Sequence, residues 1–186
     1  MLRMLRPPVT ERSRICRKAI DYIVRWLGPQ VGRRRLNMLC PDSRPTLVLD
    51  TNVVLDWLYF CDPRAAPLAA TIASGAAKWI GSPTIGVELQ HVLARDPGRR
   101  GPVAINATRT GWSRWIELAE PIAREVPPAL RCSDPGDQKF IDLAWHYRAS
   151  LLSADHAVLR LRRHAAGLGL TILGLEDWQP PHGPYR

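Results

Sequence analysis

Residues Thr46–Phe60 read TLVLDTNVVLDWLYF. Leu47, Val48 and Leu49 make an apolar run of the length expected for a strand of a parallel sheet, buried on both faces. The run stops on Asp50, Thr51 and Asn52, and an apolar helical pattern (Val53, Val54, Trp57, Leu58) begins at once. A carboxylate at such a strand–helix junction lies at the C-terminal edge of the sheet, where open α/β sheets bind their ligands. This order of residues leaves few folds open.

The downstream chain repeats the alternation. Asp62-Pro63 marks a turn, residues 64–74 an Ala-rich helix stopped by Gly75, and Lys78–Gly81 a short strand. Ser82 as N-cap and Pro83 in the first turn open a helix that carries Glu88 among Ile85, Val87, Leu89, Val92 and Leu93. DPGRRGP at 96–102 reads as a loop and 104–119 as an amphipathic helix with Trp112 and Trp115. Residues 121–131, with Pro121, Pro127 and Pro128, read as irregular. Asp134-Pro135 opens another helix, with Asp137 in its first turn, and Leu151-Leu152-Ser153 is a strand ending at Asp155. A helix with Val158, Leu159 and Leu161 follows, and Leu170–Leu173 is the last strand. Strand and helix in alternation imply an α/β fold, a parallel sheet with helices on both faces.

Charge divides the 186 residues unevenly. The net charge is +9, yet residues 1–44 hold 11 Lys and Arg against 3 Asp and Glu, and the rest are nearly balanced. The composition shift places a basic extension at 1–44, partly helical (11–28) or disordered, before a folded domain at 45–186. Such an arm suits nucleic acid or an acidic surface, and is equally consistent with a solvated tail. Cys16, Cys40, Cys61 and Cys132 show no CxxC pair, which excludes zinc-site spacing and points to thiols in a reducing compartment. No apolar run approaches the roughly 20 residues of a membrane span. The N-terminus lacks the apolar stretch of a secretory signal, although it shares Arg richness with organellar transit peptides. The expected location is cytoplasmic.

Two strands thus end in aspartate, at Asp50 and Asp155, and parallel neighbours would bring these together. Asp137 stands at a helix N-terminus, and Glu88 lies one to two turns into its helix. Four converging carboxylates cannot stay ionised together without compensation. Lys139, a single flexible ammonium, does not neutralise the set. A hard divalent cation, Mg²⁺ or Mn²⁺, does, and it suits phosphate-ester hydrolysis by activating water and neutralising charge at phosphorus. The five histidines lack metal-ligand spacing and pair with no Ser or Cys. Each acid also has a plainer role: Asp50 and Asp155 as helix caps, Asp134 as a cap with Asp137 as its acidic partner, and Glu88 as a solvated residue. The combination favours chemistry over caps. A phosphatase of the haloacid dehalogenase type would need a second aspartate two residues after Asp50, where Asn52 stands.

LVLDTNVVLDWL, SPTIGVELQHVL, CSDPGDQKFIDLA and LLSADHAVL together resemble the PIN-domain family of metal-dependent ribonucleases, most closely its bacterial toxin–antitoxin branch related to the VapC toxins. The resemblance covers about residues 46–175. It implies a three-layer α/β/α sandwich with a central, mostly parallel sheet, a Mg²⁺ or Mn²⁺ requirement and endonucleolytic cleavage of RNA. By motif position it assigns catalysis and metal binding to Asp50, Glu88, Asp137 and Asp155. Asn52, Thr51 and Ser153 take water-holding or supporting places. Ser153-Ala154-Asp155 departs from the usual Thr-Gly-Asp, and Gly136 takes a place that is often acidic. Arg131, Lys139, Arg160, Arg162 and Arg163 are candidate phosphate contacts, or equally a solvated face. The implied partners are an RNA substrate and a cognate antitoxin, and a homodimer stays open. A housekeeping RNA-processing nuclease would share the site, and a non-catalytic RNA-binding module would share the fold.

Overall fold

Asp50 ends β1 (Thr46–Leu49) by accepting a hydrogen bond from Val53 N on Oδ1 (2.8 Å), so the first helix starts with no linker. The computed structural model describes residues 44–119 and 125–181; the expected arm at 1–44 lies outside them but for Arg44. Helix α1 is regular over Thr51–Val54 and widens into a π turn over Leu55–Tyr59, closed by Phe60 N–H on the Leu55 carbonyl (2.7 Å). A 3₁₀ turn (Pro63–Ala65) leads to α2 (Ala66–Ala73), which Gly75 ends at φ +74°, a conformation costly for any residue with a Cβ. β2 (Lys78–Gly81) follows. Ser82 then opens α3 (Pro83–Ala94) as its sequence predicts, with Oγ accepting from Ile85 N at 3.4 Å. α4 (Gly101–Trp115) runs straight into β3 (Ile116–Leu118). A 3₁₀ turn at Pro128–Leu130 precedes α5 (Gln138–Tyr147), β4 (Ser150–Leu152), the short α6 (His156–Leu159) and α7 (Arg162–Gly167), and β5 (Ile172–Leu173).

All five strands are parallel, in the order β3-β2-β1-β4-β5. The chain builds outward from β1 through β2 to β3, then returns to the other side of β1 for β4 and β5. The order therefore reverses between β1 and β4, the switch point at which doubly wound sheets bind ligands. Alternate residues of each apolar run enter opposite cores. Leu47, Leu49, Trp79 and Leu152 pack with α1, α2, α4 and the later turns of α3. Val48, Ile80 and Leu151 pack with Phe140, Ile141 and Ala144 of α5, Val158 of α6 and Ala165 of α7. Two apolar layers around one parallel sheet make the α/β/α sandwich. Among the described residues no helix is long and apolar enough to cross a membrane.

The helix expected over 104–119 instead spans Gly101–Trp115, and its expected last turn is β3. Ile116, Glu117 and Leu118 pair with Trp79, Ile80 and Gly81, satisfying the backbone groups along one side of β2. That partner lies more than 30 residues away, so local periodicity carries no trace of it. Tertiary pairing also shortens the last strand to Ile172–Leu173, and the helix after Asp155 divides in two at Arg160–Leu161.

Trp79 is the largest fully buried side chain, its ring 5.6 Å from that of Trp57 and edge-on to Trp112 at 5.2 Å. Replacing it by alanine should cost about 3–5 kcal/mol, the range for emptying an aromatic core site. Urea unfolding followed by far-ultraviolet circular dichroism measures the loss.

Candidate active site

Register does most of the assembly. Leu49 pairs with Leu152, so the next residues, Asp50 and Ser153, leave the sheet side by side. Ser153 Oγ donates to Asp50 Oδ2, which also accepts from Ala154 N at 3.0 Å. Ser153 Oγ in turn accepts from Asp155 N (3.0 Å), tying the third position of the motif to the first. Asp50 is 3% exposed and Ser153 is fully buried. Asp155 caps α6, its Oδ1 accepting from Ala157 N at 2.6 Å. Asp50 and Asp155 thus keep their plain capping roles, and the cap bonds fix where their carboxylates lie.

Asp137 arrives from the opposite core. The helix expected to begin before it starts at Gln138, leaving Asp137 at the N-cap position with no capping bond from its side chain. Asp134, expected as that cap, instead accepts from Gly136 N at 2.7 Å and closes a tight turn ahead of the helix. A two-residue turn suits its short side chain better than the longer reach into the helix. Gln138 pins the same segment: its Oε1 accepts from Cys132 N (2.7 Å) and its Nε2 donates to Asp142 Oδ1 (2.8 Å). Nothing in the local pattern singled Gln138 out.

Crowding shows in the proton affinities. The Asp137 carboxyl is pushed up to about 6, first by burial, then by the negative charges of Asp155, Asp134 and Asp50, against the pull of Lys139. Burial also raises Asp50, outweighing hydrogen bonds from Ser153 and from the backbone of Val53, Ala154 and Asp155. Glu88 approaches from α3 by another route. Its Oε1 accepts from Thr51 Oγ1 (2.5 Å) and its Oε2 forms an ion pair with Lys139 Nζ. Thr51 thus links Glu88 to the Asp50 strand end, and Lys139 links it to the Asp137 turn.

The donor set is all carboxylate oxygen, which fits a hard divalent cation and no soft one. Among the described residues no three His, Cys, Asp or Glu groups are drawn in far enough to grip an ion as they stand. Most of the oxygens are already committed to protein donors, as the bonds of Asp50, Asp155 and Glu88 show. Asn52 is exposed on the first turn of α1 and makes no side-chain hydrogen bond among the described residues. Of the candidate phosphate contacts, Arg131 and Lys139 line a groove of about 510 Å³ beside the acids. Arg160, Arg162 and Arg163 are exposed outside that groove, Arg162 lying 4.0 Å from Asp177.

A parallel α/β/α sandwich with carboxylates at its switch point is the frame into which the family comparison falls. The family model described as PIN domain matches residues 46–156, more than half of the chain, and the chain belongs to the PIN-domain family. Proteins of this family are generally nucleases, bind RNA and typically use divalent metals. No curated protein matches the chain.

The raised Asp137 carboxyl has a definite sign. Its folded value of about 6 lies above the 3.8 of an unperturbed aspartate, so its contribution to stability is fully present below about 3.8 and is lost as pH rises through about 6. Asp137→Asn removes that loss. In metal-free buffer the melting temperature of the variant should rise relative to the unsubstituted chain as pH goes from about 4 to about 6.5. Thermal melts of both proteins in EDTA across that interval check it.

Proposed function

We propose that the protein is a divalent-metal-dependent endoribonuclease, folded over residues 45–186 and carrying residues 1–44 as a basic extension. The observation that supports this reading is the raised proton affinity of Asp137, a partly buried carboxyl that feels the negative charges of Asp155, Asp134 and Asp50. Acids whose charges oppose one another in this way are a setting that a divalent cation would relieve. Asp50, Glu88, Asp137 and Asp155 are the residues that would hold Mg²⁺ or Mn²⁺. Such an ion, when bound, makes water a better nucleophile at neutral pH and offsets charge developing on the phosphate.

The chain's own residues do the rest. Ser153 and the Ala154 N–H keep Asp50 Oδ2 in place, and Thr51 holds Glu88. Asn52, exposed at the start of α1, orients water or a phosphate oxygen. Arg131 and Lys139 in the groove, with Arg160, Arg162 and Arg163 beyond it, hold RNA by its phosphates, a grip that weakens with salt. We assign the enzyme further to the toxin side of a type II pair in the cytoplasm, silenced by a cognate antitoxin. The support for that role is the motif resemblance to the VapC-related branch.

Asp137→Asn is the informative substitution, because the side chain caps nothing and its loss should leave the fold intact. Asp50→Asn is less clean, since an amide NH₂ would meet either the Val53 or the Ala154 N–H. With a single-stranded RNA and Mn²⁺, Asp137→Asn should reduce cleavage by more than about 100-fold, the upper range for groups that only orient a ligand. EDTA should abolish cleavage by the unsubstituted chain, and undiminished activity in either case would reject the assignment. Deleting residues 1–44 should keep cleavage of a short RNA within about tenfold, since the arm adds at most a few phosphate contacts. Induced expression that halts growth, relieved by the product of a neighbouring small reading frame, would support the toxin role; unaffected growth would move the enzyme to RNA processing.

A further inference from the structure

We propose that Lys139 is a tethered counter-ion, which holds Glu88 in the metal-free site and gives it up to the divalent cation, turning into the adjoining groove. The inference rests on the metal-site reading above. Lysine is usually the most mobile side chain of a surface, but this one is held at three points. Its Nζ pairs with Glu88 Oε2, donates to the Gly136 carbonyl and lies 4.7 Å from the centroid of the Phe140 ring. Only 25% of the side chain is exposed. Glu88 meanwhile has its other oxygen on Thr51 Oγ1, so each of its oxygens already holds a protein donor while the lysine stays.

An ammonium and a metal ion compete for Glu88 Oε2, because two cations drawn to one oxygen repel each other. A doubly charged ion attracts all four acids, whereas the lysine reaches mainly one, so the lysine is the group displaced. It has somewhere to go. The groove lined by Lys139 also carries Ser82, Thr84, Arg131 and Gln138 with the carboxylates of Glu125 and Asp142, a mixed polar wall that gives a displaced ammonium acidic partners and, beside Arg131, room for a phosphate. The four-carbon stem swings there without moving α5. The same residue then neutralises Glu88 in one state and faces an RNA phosphate in the other, which makes Lys139 a positioning residue that couples metal loading to substrate binding.

The test uses the full chain without RNA. Calorimetric titration with Mn²⁺ should show Lys139→Gln binding the ion about fivefold or more tightly than the unsubstituted protein, because the competing charge is gone. Lys139→Arg, which keeps the charge, should stay within about twofold. Equal or weaker binding by Lys139→Gln overturns the proposal while leaving the metal site standing. If the unsubstituted chain binds no Mn²⁺, the metal-site reading fails and takes this inference with it. A second measurement needs no folded variant: the ¹⁵Nζ resonance of Lys139, protected in the metal-free protein, should broaden through solvent exchange when Mg²⁺ is added. A resonance unchanged at saturating Mg²⁺ would equally reject displacement.

Discussion

Electrostatic repulsion at one edge of the sheet is the constraint around which the molecule is built. Burial and neighbouring acids drive the Asp137 carboxyl to about 6, and burial raises Asp50 as well. Like charges at a partly desolvated edge separate unless the surrounding structure forbids it. Here the structure does forbid it. Asp50 is locked by Val53, Ser153 and Ala154, Asp155 by Ala157, and the Asp137 turn by Gln138 and Asp134.

The core explains why that rigidity is available. Each central strand places alternate residues in two separate apolar layers, so sliding β1 against β4 by one residue would exchange the layers completely. The Leu49–Leu152 register is thereby fixed by burial, and with it the adjacency of Asp50 and Ser153. Packing free energy spent on the sheet becomes positional accuracy at its edge. Ser153 is the clearest expression of this link: wholly buried, it binds Asp50 through its hydroxyl and receives the N–H of Asp155 on the same atom.

Glu88 and Lys139 add a second kind of interaction, a charge pair that reaches across the sheet edge. The acid is held by a hydroxyl from the α1 side and an ammonium from the α5 side, so two helices on opposite faces of the sheet meet through one carboxylate. Such a partly buried pair contributes little net stability, because desolvation offsets most of the attraction. It holds Glu88 between Thr51 and the Asp137 turn. Sequence reasoning set Lys139 aside as too small a charge for the cluster, and its placement near Asp137 gave no hint that it reaches Glu88 instead.

The amino-acid sequence by itself determined the strand–carboxylate–helix junctions at Asp50 and Asp155, the Ser82 cap, and the alternation that makes a parallel α/β sandwich. These depend on residues a few positions apart, and local stereochemistry writes them plainly. Only the tertiary structure decided that β1 and β4 are neighbours, that Ile116–Leu118 leaves the helix to pair with β2, and that the helix after Asp134 waits until Gln138. The same holds for the grip of Thr51 and Lys139 on Glu88. Except for the helix start, which a short-range turn at Asp134 decides, those outcomes turn on hydrogen-bond partners and charges 37 to more than 100 residues distant, which no periodicity within a window can encode.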